Sequence, residues 1–325
     1  MTTWPWSRHR SASPATRASR ASGASGASRT SGASRTSSGD PASVLRANPV
    51  LLLAGPPADV MVDRLLRGWN PSAEVGGSGK SPGKSLRIAE GVRWVGPFRL
   101  DAVGAAEAGL PLGWSTAYAA QAVRSRLRVP DGLAAAEMRE RFPHGMPVGA
   151  EAVAWSLVTG LARRLDGATR LPPDVRSRRA AARATRNLVA QRPELRQNTY
   201  CVYGNKALRW PVLRSLLALG LPELDLNGAL AEDDYCLDRP DSFEVRVEPF
   251  RDGDFLPYAL RPHAVSGWPC TVYRFRCLPQ AAKSDVARID VQLRAAAYEL
   301  ADVVGGVLLD GEGFPVITEL ARQRR

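Results

Sequence analysis

Two stretches of the chain place apolar residues at helical spacing and then pass through glycine into a short apolar run. Residues 151–171 read EAVAWSLVTGLARRLDGATRL, and residues 290–310 read DVQLRAAAYELADVVGGVLLD. The apolar stripe of the first stretch is Val153, Leu157, Leu161 and Leu165. Both stretches predict an amphipathic helix, a glycine stop and a short strand, and we interpret the recurrence as a sign of two related halves.

Four other segments have the patterns of strands. Val50–Ala54 is continuously apolar, which predicts a buried strand at the start of the first half. Thr199–Tyr203 is rich in β-branched and aromatic residues and predicts the opening strand of the second half. Phe243–Glu248 and Thr271–Cys277 alternate between apolar and charged positions, so each predicts a strand with one buried face.

Further helices are predicted on either side of these strands. Apolar residues recur at helical spacing in Val62–Trp69, and Trp210-Pro211 places a proline at a favoured helix start. Ser115–Arg128 is predicted as a helix that ends at Val129-Pro130, and Leu133–Phe142 as one that ends at Pro143.

The connecting segments are predicted from their glycine and proline content. Ser72–Ser85 is interpreted as a flexible loop, and Leu221–Asp241 as a long irregular stretch. Val92–Asp101 is predicted to form two short strands hinged at Gly96-Pro97.

The order of elements predicts an α+β protein. Each half is expected to run strand, helix, strands, helix, strand, which is the order of the split βαβ, or ferredoxin-like, unit, and we interpret the halves as a tandem duplication. The predicted divisions are a disordered Ser/Gly/Ala/Arg-rich tail at 1–46, a first domain at 47–172, an Arg-rich helical linker at 173–197 and a second domain at 198–325.

Charge is concentrated in two of these segments. The 325-residue chain has a formal net charge of +12. Residues 1–46 hold seven arginines against Asp40 alone, and residues 173–197 hold seven arginines against Asp174 and Glu194. The two halves themselves are therefore close to neutral, and the tail has too few apolar residues to offset the entropy of ordering.

The linker presents its arginines in a pattern. Four of them recur at i, i+3, i+7 and i+10, on one stripe of a predicted helix. These residues are Arg176, Arg179, Arg183 and Arg186. Such a stripe favours contact with phosphates, so non-specific nucleic-acid binding through tail and linker is an alternative function. Against it, both segments lack the interleaved aromatic residues of single-strand binders.

A second candidate surface is the charged face of the predicted strands in the second half. Arg246, Arg274 and Arg276 share this face with Glu244 and Glu248. Pairing of the two strands would bring opposite charges together and help to fix their register. Alternatively, the arginines form an exposed contact surface for a ligand or partner.

The motifs of catalysis and metal binding are missing or incomplete. The loop GGSGKSPGKS departs from G-x-x-x-x-G-K-[ST], because the first glycine of that pattern is replaced by Glu74 or Ser78. The four cysteines form no C-x-x-C pair, which argues against structural zinc. A pair of His263 with Cys201 or Cys270 depends on closeness that spacing does not fix. We therefore assign no catalytic, cofactor or metal residues.

These observations favour a non-enzymatic protein that binds or regulates an unknown protein partner. A hydrolase or transferase without a readable motif is a further alternative. No apolar run reaches the roughly 18–20 residues of a membrane span, and no secretory signal is evident, so we expect a cytoplasmic protein without membrane contact.

Overall fold

The structure, a computed structural model, shows a mixed α+β protein with two six-stranded antiparallel sheets. It describes residues 40–55, 59–75, 84–129, 139, 142, 145–172, 199–222, 224–231, 234–239, 242–251, 254–264, 267–278, 281–282 and 284–316. The predicted tail up to residue 39, the linker helix and most of the predicted helix Leu133–Phe142 lie outside these residues. Among the helices that are described, none has the length and apolar character needed to cross a bilayer.

The first half contains four described helices and eight strands. Its helices are α1 (Pro41–Ala47), α2 (Asp59–Trp69), α3 (Ala102–Ala108) and α4 (Gly149–Arg164). Its strands are β1 (Val50–Leu53), β2 (Glu74–Val75), β3 (Lys84–Ala89), β4 (Val92–Arg99), β5 (Thr116–Ala122), β6 (Arg126–Leu127), β7 (Met146–Pro147) and β8 (Ala168–Arg170). The sheet has the order β2-β3-β4-β5-β1-β8, while β6 and β7 form a separate pair.

The second half follows the same order along the chain. Its helices are α5 (Trp210–Leu217), the 3-10 helix Tyr258–His263 and α6 (Val286–Val304). Its strands are β9 (Thr199–Gly204), β10 (Asp225–Ala231), β11 (Asp234–Arg239), β12 (Phe243–Pro249), β13 (Thr271–Cys277) and β14 (Val307–Asp310). The sheet order β10-β11-β12-β13-β9-β14 matches that of the first sheet, strand for strand, in chain order.

The first sheet is covered on both faces around its central strand β1, which is apolar at every position. Leu51 and Leu53 pack with α2 and α4 in one cluster, whereas Val50 and Leu52 pack with α1 and α3 in another. Alternating side chains of a strand point to opposite faces, so a continuous apolar run packs against helices on both faces of the sheet.

The second sheet is apolar mainly on one face. Its cluster under α5 and α6 contains Val245, Tyr273 and Leu300, which are fully or nearly fully buried. The opposite face is apolar around β9, β13 and β14, where Leu260 of the 3-10 helix packs beside Cys201 and Leu309. The charged residues of β12 and β13 occupy the rest of that face.

The two halves share a packed junction. Phe314 and Tyr258 of the second half belong to the apolar cluster of the first half. The rings of Trp69 and Tyr258 stack with their centroids 4.8 Å apart, and Trp69 Nε1 donates to the carbonyl of Glu312 at 2.9 Å. This turn after β14 therefore anchors the second half to α2 of the first.

The predicted helix Ser115–Arg128 is wrong, because this segment forms β5 and β6. Ala119 pairs with Val50 of β1 on one side and with Val95 of β4 on the other. The small alanines suit a central strand that is covered closely on both faces, and this tertiary pairing outweighs their helical preference.

The predicted irregular stretch Leu221–Asp241 is also wrong over most of its length, because it contains β10 and β11. Tyr235 and Leu237 of β11 are buried and pair with Val247 and Val245 of β12. Their alternation with polar neighbours is a strand pattern that the acidic composition obscured.

Two boundaries in the first half also differ from expectation. Val92–Arg99 is one strand, and its pairing with β5 shifts register between Val95 and Phe98, where two hinged strands were predicted. The predicted loop Ser72–Ser85 contains β2 and the start of β3 at its described ends. Helix α1 starts inside the predicted tail, because Asp40 caps it and Leu45 is buried under the sheet.

Candidate functional site

The sequence-predicted sites have different outcomes. The arginine stripe of the linker, Arg176, Arg179, Arg183 and Arg186, lies outside the described residues, so its proposed nucleic-acid contact stays a prediction. The charged face of the second sheet is described. Arg246, Arg274 and Arg276 lie on β12 and β13 with about 37%, 41% and 29% of their side chains exposed.

Ion pairs occupy the arginines of this face. Arg276 Nη2 lies 2.9 Å from Glu244 Oε1, directly across the strand pair. Arg246 and Arg274 also lie opposite each other, and Glu248 bridges them at 2.8 Å and 3.0 Å. Because each guanidinium has a carboxylate partner, this face favours a role in strand register over binding of an anionic ligand.

The thiols lie apart from any metal-binding arrangement. Among the described residues, which include all four cysteines and His263, no group of three His, Cys, Asp or Glu side chains is placed to hold a metal ion. Cys201 Sγ accepts from Arg274 Nη1 at 3.9 Å, and burial raises its pKa above the ordinary value. A protonated, buried thiol is a poor nucleophile, which argues against the pair of Cys201 with His263.

A surface depression on the first half has a different character. Its volume is about 390 Å³, and it lies where β3, β4 and β5 meet the start of β1. It is lined by Asn48, Arg87, Ala89, Gly91, Val92, Arg93, Gln121, Ala122 and Val123. We call it the basic depression, since two arginines and two amides supply its polar lining and none of these residues is acidic.

The register of the strands places the polar side chains in one row. Arg87 of β3 lies opposite Arg93 of β4, which in turn lies opposite Gln121 of β5. Val92 and Trp94 face the helix α2 and α4 cluster, so Arg93 between them projects to the other face of the sheet. Asn48 extends the row, because its Oδ1 accepts from the backbone of Ala122 at 3.4 Å.

Like charges directly opposite each other on neighbouring strands are unfavourable. Arg87 and Arg93 are both exposed, and the acidic residue nearest in register is Glu74, opposite Arg87 on β2. No ion pair within 4.0 Å joins these three residues, all of which belong to the described part of the chain. An anion that bound between Arg87 and Arg93 would reduce the repulsion between them.

The last turn of α1 borders the depression and attracts three side-chain donors. Asn48 Nδ2 donates to the carbonyl of Val44 at 2.8 Å, and Arg124 Nη2 donates to that of Ala47 at 3.0 Å. Arg170 Nη2 donates to the carbonyl of Leu45. The carbonyl end of a helix carries partial negative charge, so cations are favoured there.

Arg170 is exceptional in its burial. Its side chain is 1% exposed, and its Nε and Nη1 atoms have no hydrogen-bond partner in the described structure. Burial, together with the nearby positive charges of Arg124 and Arg46, lowers the pKa of its guanidinium to about 10.

Sequence reasoning missed both the basic depression and Arg170. Arg93 lies 45 residues from Asn48 and 28 residues from Gln121 in the sequence, and the arginines form no periodic stripe. Their only sequence signal is the position of Arg93 between two apolar residues of one strand, which predicts an outward-facing charge but not its neighbours. No protein-family model matches this chain, and no curated protein matches it.

Proposed function

We propose that this protein is a non-enzymatic binding protein whose first half recognises an acidic segment of a protein partner at the basic depression. The observation that carries the proposal is the row formed by Arg87, Arg93, Gln121 and Asn48 in a depression lined by no described acidic residue. Guanidinium groups bind carboxylates through two parallel hydrogen bonds, and the amide of Gln121 adds a further donor.

The size and rim of the depression support a peptide as the ligand. A volume of about 390 Å³ admits one or two side chains rather than a folded surface. Val123 lies at the rim with 77% of its surface exposed, and it adds apolar area beside the arginines. A segment that alternates carboxylates with apolar side chains matches this lining.

The same lining favours protein over nucleic acid. Proteins that bind single strands stack the bases on aromatic side chains. None of the nine lining residues is aromatic, although a guanidinium pair alone attracts a phosphate backbone. We therefore treat nucleic acid as an outcome of the experiment rather than as the proposed ligand.

The test is a comparison of two charge-reversed variants of the full chain. One variant carries Arg87→Glu and Arg93→Glu in the depression. Its matched control carries Arg64→Glu and Arg67→Glu, which change net charge equally on the exposed side of α2. Fluorescence anisotropy measures binding of a labelled peptide of alternating Glu and Leu residues, and of a labelled single strand and duplex, at low and moderate salt.

We expect the peptide to bind wild type and the control variant alike, and to lose at least about tenfold in affinity with the depression variant. Equal losses in both variants would mean that net charge alone attracts the peptide and would overturn the proposal. Tighter binding of an oligonucleotide than of the peptide, lost with the depression variant, would replace the proposal by nucleic-acid binding.

We also propose that the two halves derive from one split βαβ unit by duplication, with two strands added before the third element. The matching sheet orders support this, because strands β8-β1-β5-β4 and β14-β9-β13-β12 follow the order of that unit. An experimental structure tests it, since poor superposition of the twelve strands would contradict a common origin. The four unpaired cysteines support a reducing, cytoplasmic location.

A further inference from the structure

Arg87 and Arg93 provide one position for an anion in the basic depression. They lie directly opposite each other on β3 and β4, so their Cβ atoms are about 5 Å apart, and both side chains are exposed. Neither guanidinium has a hydrogen-bond or ion-pair partner within the described part of the chain. A carboxylate accepts several hydrogen bonds on its two oxygens, so one carboxylate between these residues would bind both of them.

The charges along the row match a single carboxylate. Glu74 of β2 lies opposite Arg87, on the side away from Arg93, and it is exposed. These three side chains have a net charge of +1. One bound carboxylate therefore neutralises them, and Glu74 would repel a second. Arg124 is not among the lining residues, and it donates to the carbonyl of Ala47. The row therefore binds one carboxylate of the proposed acidic segment.

The amide of Gln121 lies next to this anion position. Gln121 is opposite Arg93 on β5, and neighbouring strands are about 4.8 Å apart. No bond within the described residues uses its side chain, so the amide offers one carbonyl acceptor and two N–H donors. The amide of Asn48, at the end of the row, already bonds to the backbone of Val44 and Ala122. A ligand uses the acceptor of Gln121 only if it has an N–H group close to its carboxylate.

The carboxyl end of a polypeptide has this combination of groups. Its carboxylate and its backbone N–H are attached to the same Cα, so the nitrogen lies about 2.5 Å from the carboxylate carbon. A glutamate residue instead places its carboxylate at the end of a flexible side chain, away from the backbone N–H. The last residue of a chain therefore reaches the arginine pair and Gln121 together, and an internal glutamate does so less readily.

We propose that the basic depression binds the carboxyl terminus of its protein partner. The inference rests on the proposed function and narrows the acidic segment to its last residue. The terminal carboxylate binds between Arg87 and Arg93, and the last N–H donates to Gln121 Oε1. An apolar last side chain packs on Val123, which is exposed at the rim. A volume of about 390 Å³ has room for such a chain end, and capture of a terminal carboxylate is a recurring mode of peptide recognition.

The first experiment compares three peptides of equal length that carry a fluorescent label at the amino terminus. The first peptide is a neutral sequence of Ser, Gly and Leu that ends in Leu with a free carboxylate. The second is the same peptide with an amidated end. The third is the amidated peptide with one internal Glu, so its net charge equals that of the first. Fluorescence anisotropy at low salt measures the binding of each peptide to the full chain.

We expect the free-acid peptide to bind at least about tenfold more tightly than either amidated peptide. Equal binding of the first and third peptides would overturn the inference, because any carboxylate would then suffice, while the proposed function would stand. Absence of binding by the free-acid peptide would also overturn the inference. The alternating Glu and Leu peptide with an amidated end then decides separately whether the proposed function stands, since both fail only if that peptide does not bind either.

The second experiment assigns the effect to residues. Arg87→Gln and Arg93→Gln should each weaken binding of the free-acid peptide about tenfold. Gln121→Leu should weaken it by about threefold to tenfold and leave the affinity of the third peptide unchanged, because only the chain end uses the amide. Arg64→Gln, at an exposed position of α2, is the matched control and should have no effect. Melting temperatures check that each variant is folded. Equal effects of Gln121→Leu on both peptides would overturn the contact with the terminal N–H.

Discussion

The ring of Phe314 lies against Gly160 at the junction of the two halves, in space that a methyl group on Gly160 would overlap. A Cβ at this position would also lie 3.0 Å from the Cβ of Glu312. Gly160 is buried in the middle of α4, where glycine is otherwise unfavourable. Close packing of the second half against this helix explains why the chain places glycine there.

We predict that Gly160→Ala destabilises the protein by roughly 1–3 kcal/mol, because overpacking outweighs the gain in helical preference. Chemical denaturation measures the change. Gly55→Ala is the matched control, since a methyl group there meets no atom within 4 Å. In a Phe314→Ala background, Gly160→Ala should become neutral or stabilising. A destabilisation that persists without the ring would show that Phe314 is not its cause.

Asp310 is predicted to hold the turn that carries Phe314. Its Oδ1 accepts from the backbone nitrogens of Glu312 and Phe314 at 3.1 Å and 3.0 Å, and its other oxygen pairs with Arg164. Asp310→Ala should cost about 3 kcal/mol, because it leaves a half-buried arginine without its carboxylate. Asp285→Ala breaks an exposed pair with Arg288 and should change stability by less than about 1 kcal/mol. Equal effects in denaturation would contradict a special role for Asp310.

Two truncated chains should distinguish the contribution of the tail to stability from that of α1. Removing residues 1–39 is expected to leave the melting temperature unchanged, because their sequence offers little apolar surface to bury. Removing residues 1–47 should destabilise the protein by about 2–5 kcal/mol, since it deletes the fully buried Leu45. Thermal unfolding of both truncated chains checks this. Identical melting temperatures would mean that α1 contributes no stability, whereas a large fall on removing 1–39 would contradict the predicted tail.

The sequence predicted those elements whose pattern is local and strong. The helix around Leu161 and the strand Thr271–Cys277 were predicted from the spacing of their apolar residues, most of which are buried. It failed where the residues are small, as in β5, or where acidic neighbours obscured the alternation, as in β11. The alanines of β5 are strand residues only because β1 and β4 flank them.

The candidate sites required the three-dimensional register. Arg87 and Arg93 become neighbours through the pairing of β3 with β4, and Gln121 joins them through β5. Arg170 lies 125 residues from the carbonyl it caps. Composition showed that the net charge lies in the tail and the linker. The first half is close to neutral, so its net charge did not indicate that arginines lie close together there.

Glu248 is predicted to stabilise the second sheet by separating two like charges. Arg246 and Arg274 lie opposite each other, and Glu248 pairs with both. Glu248→Gln should cost about 1 kcal/mol at low salt, and the loss should shrink near about 1 M salt as repulsion is screened. Glu244→Gln removes one pair without leaving arginines opposed and should cost less. If the difference in denaturation midpoint between Glu248→Gln and wild type did not change with salt, the electrostatic explanation would be contradicted.

Cys236 on β11 provides a pH-dependent prediction on the same face. Burial raises the pKa of its thiol to about 11, and the carboxylates of Glu244 and Asp238 act in the same direction. The folded protein therefore holds this proton to higher pH than the unfolded chain. Any stability that results is present below about pH 9 and is lost as pH rises from 9 towards 11.

Alkylation of Cys236 by iodoacetamide measures this shift directly, because the thiolate is the reacting species. At pH 8 the rate should be about 100-fold below that of an unperturbed thiol, rising about tenfold per pH unit and levelling only near the shifted pKa. Peptide mapping by mass spectrometry follows Cys236 separately from the other thiols. Glu244→Gln should speed the reaction at pH 8, whereas Glu299→Gln, on the exposed side of α6, should not. A rate that levels near pH 9 would show that neither burial nor the neighbouring carboxylates control this thiol.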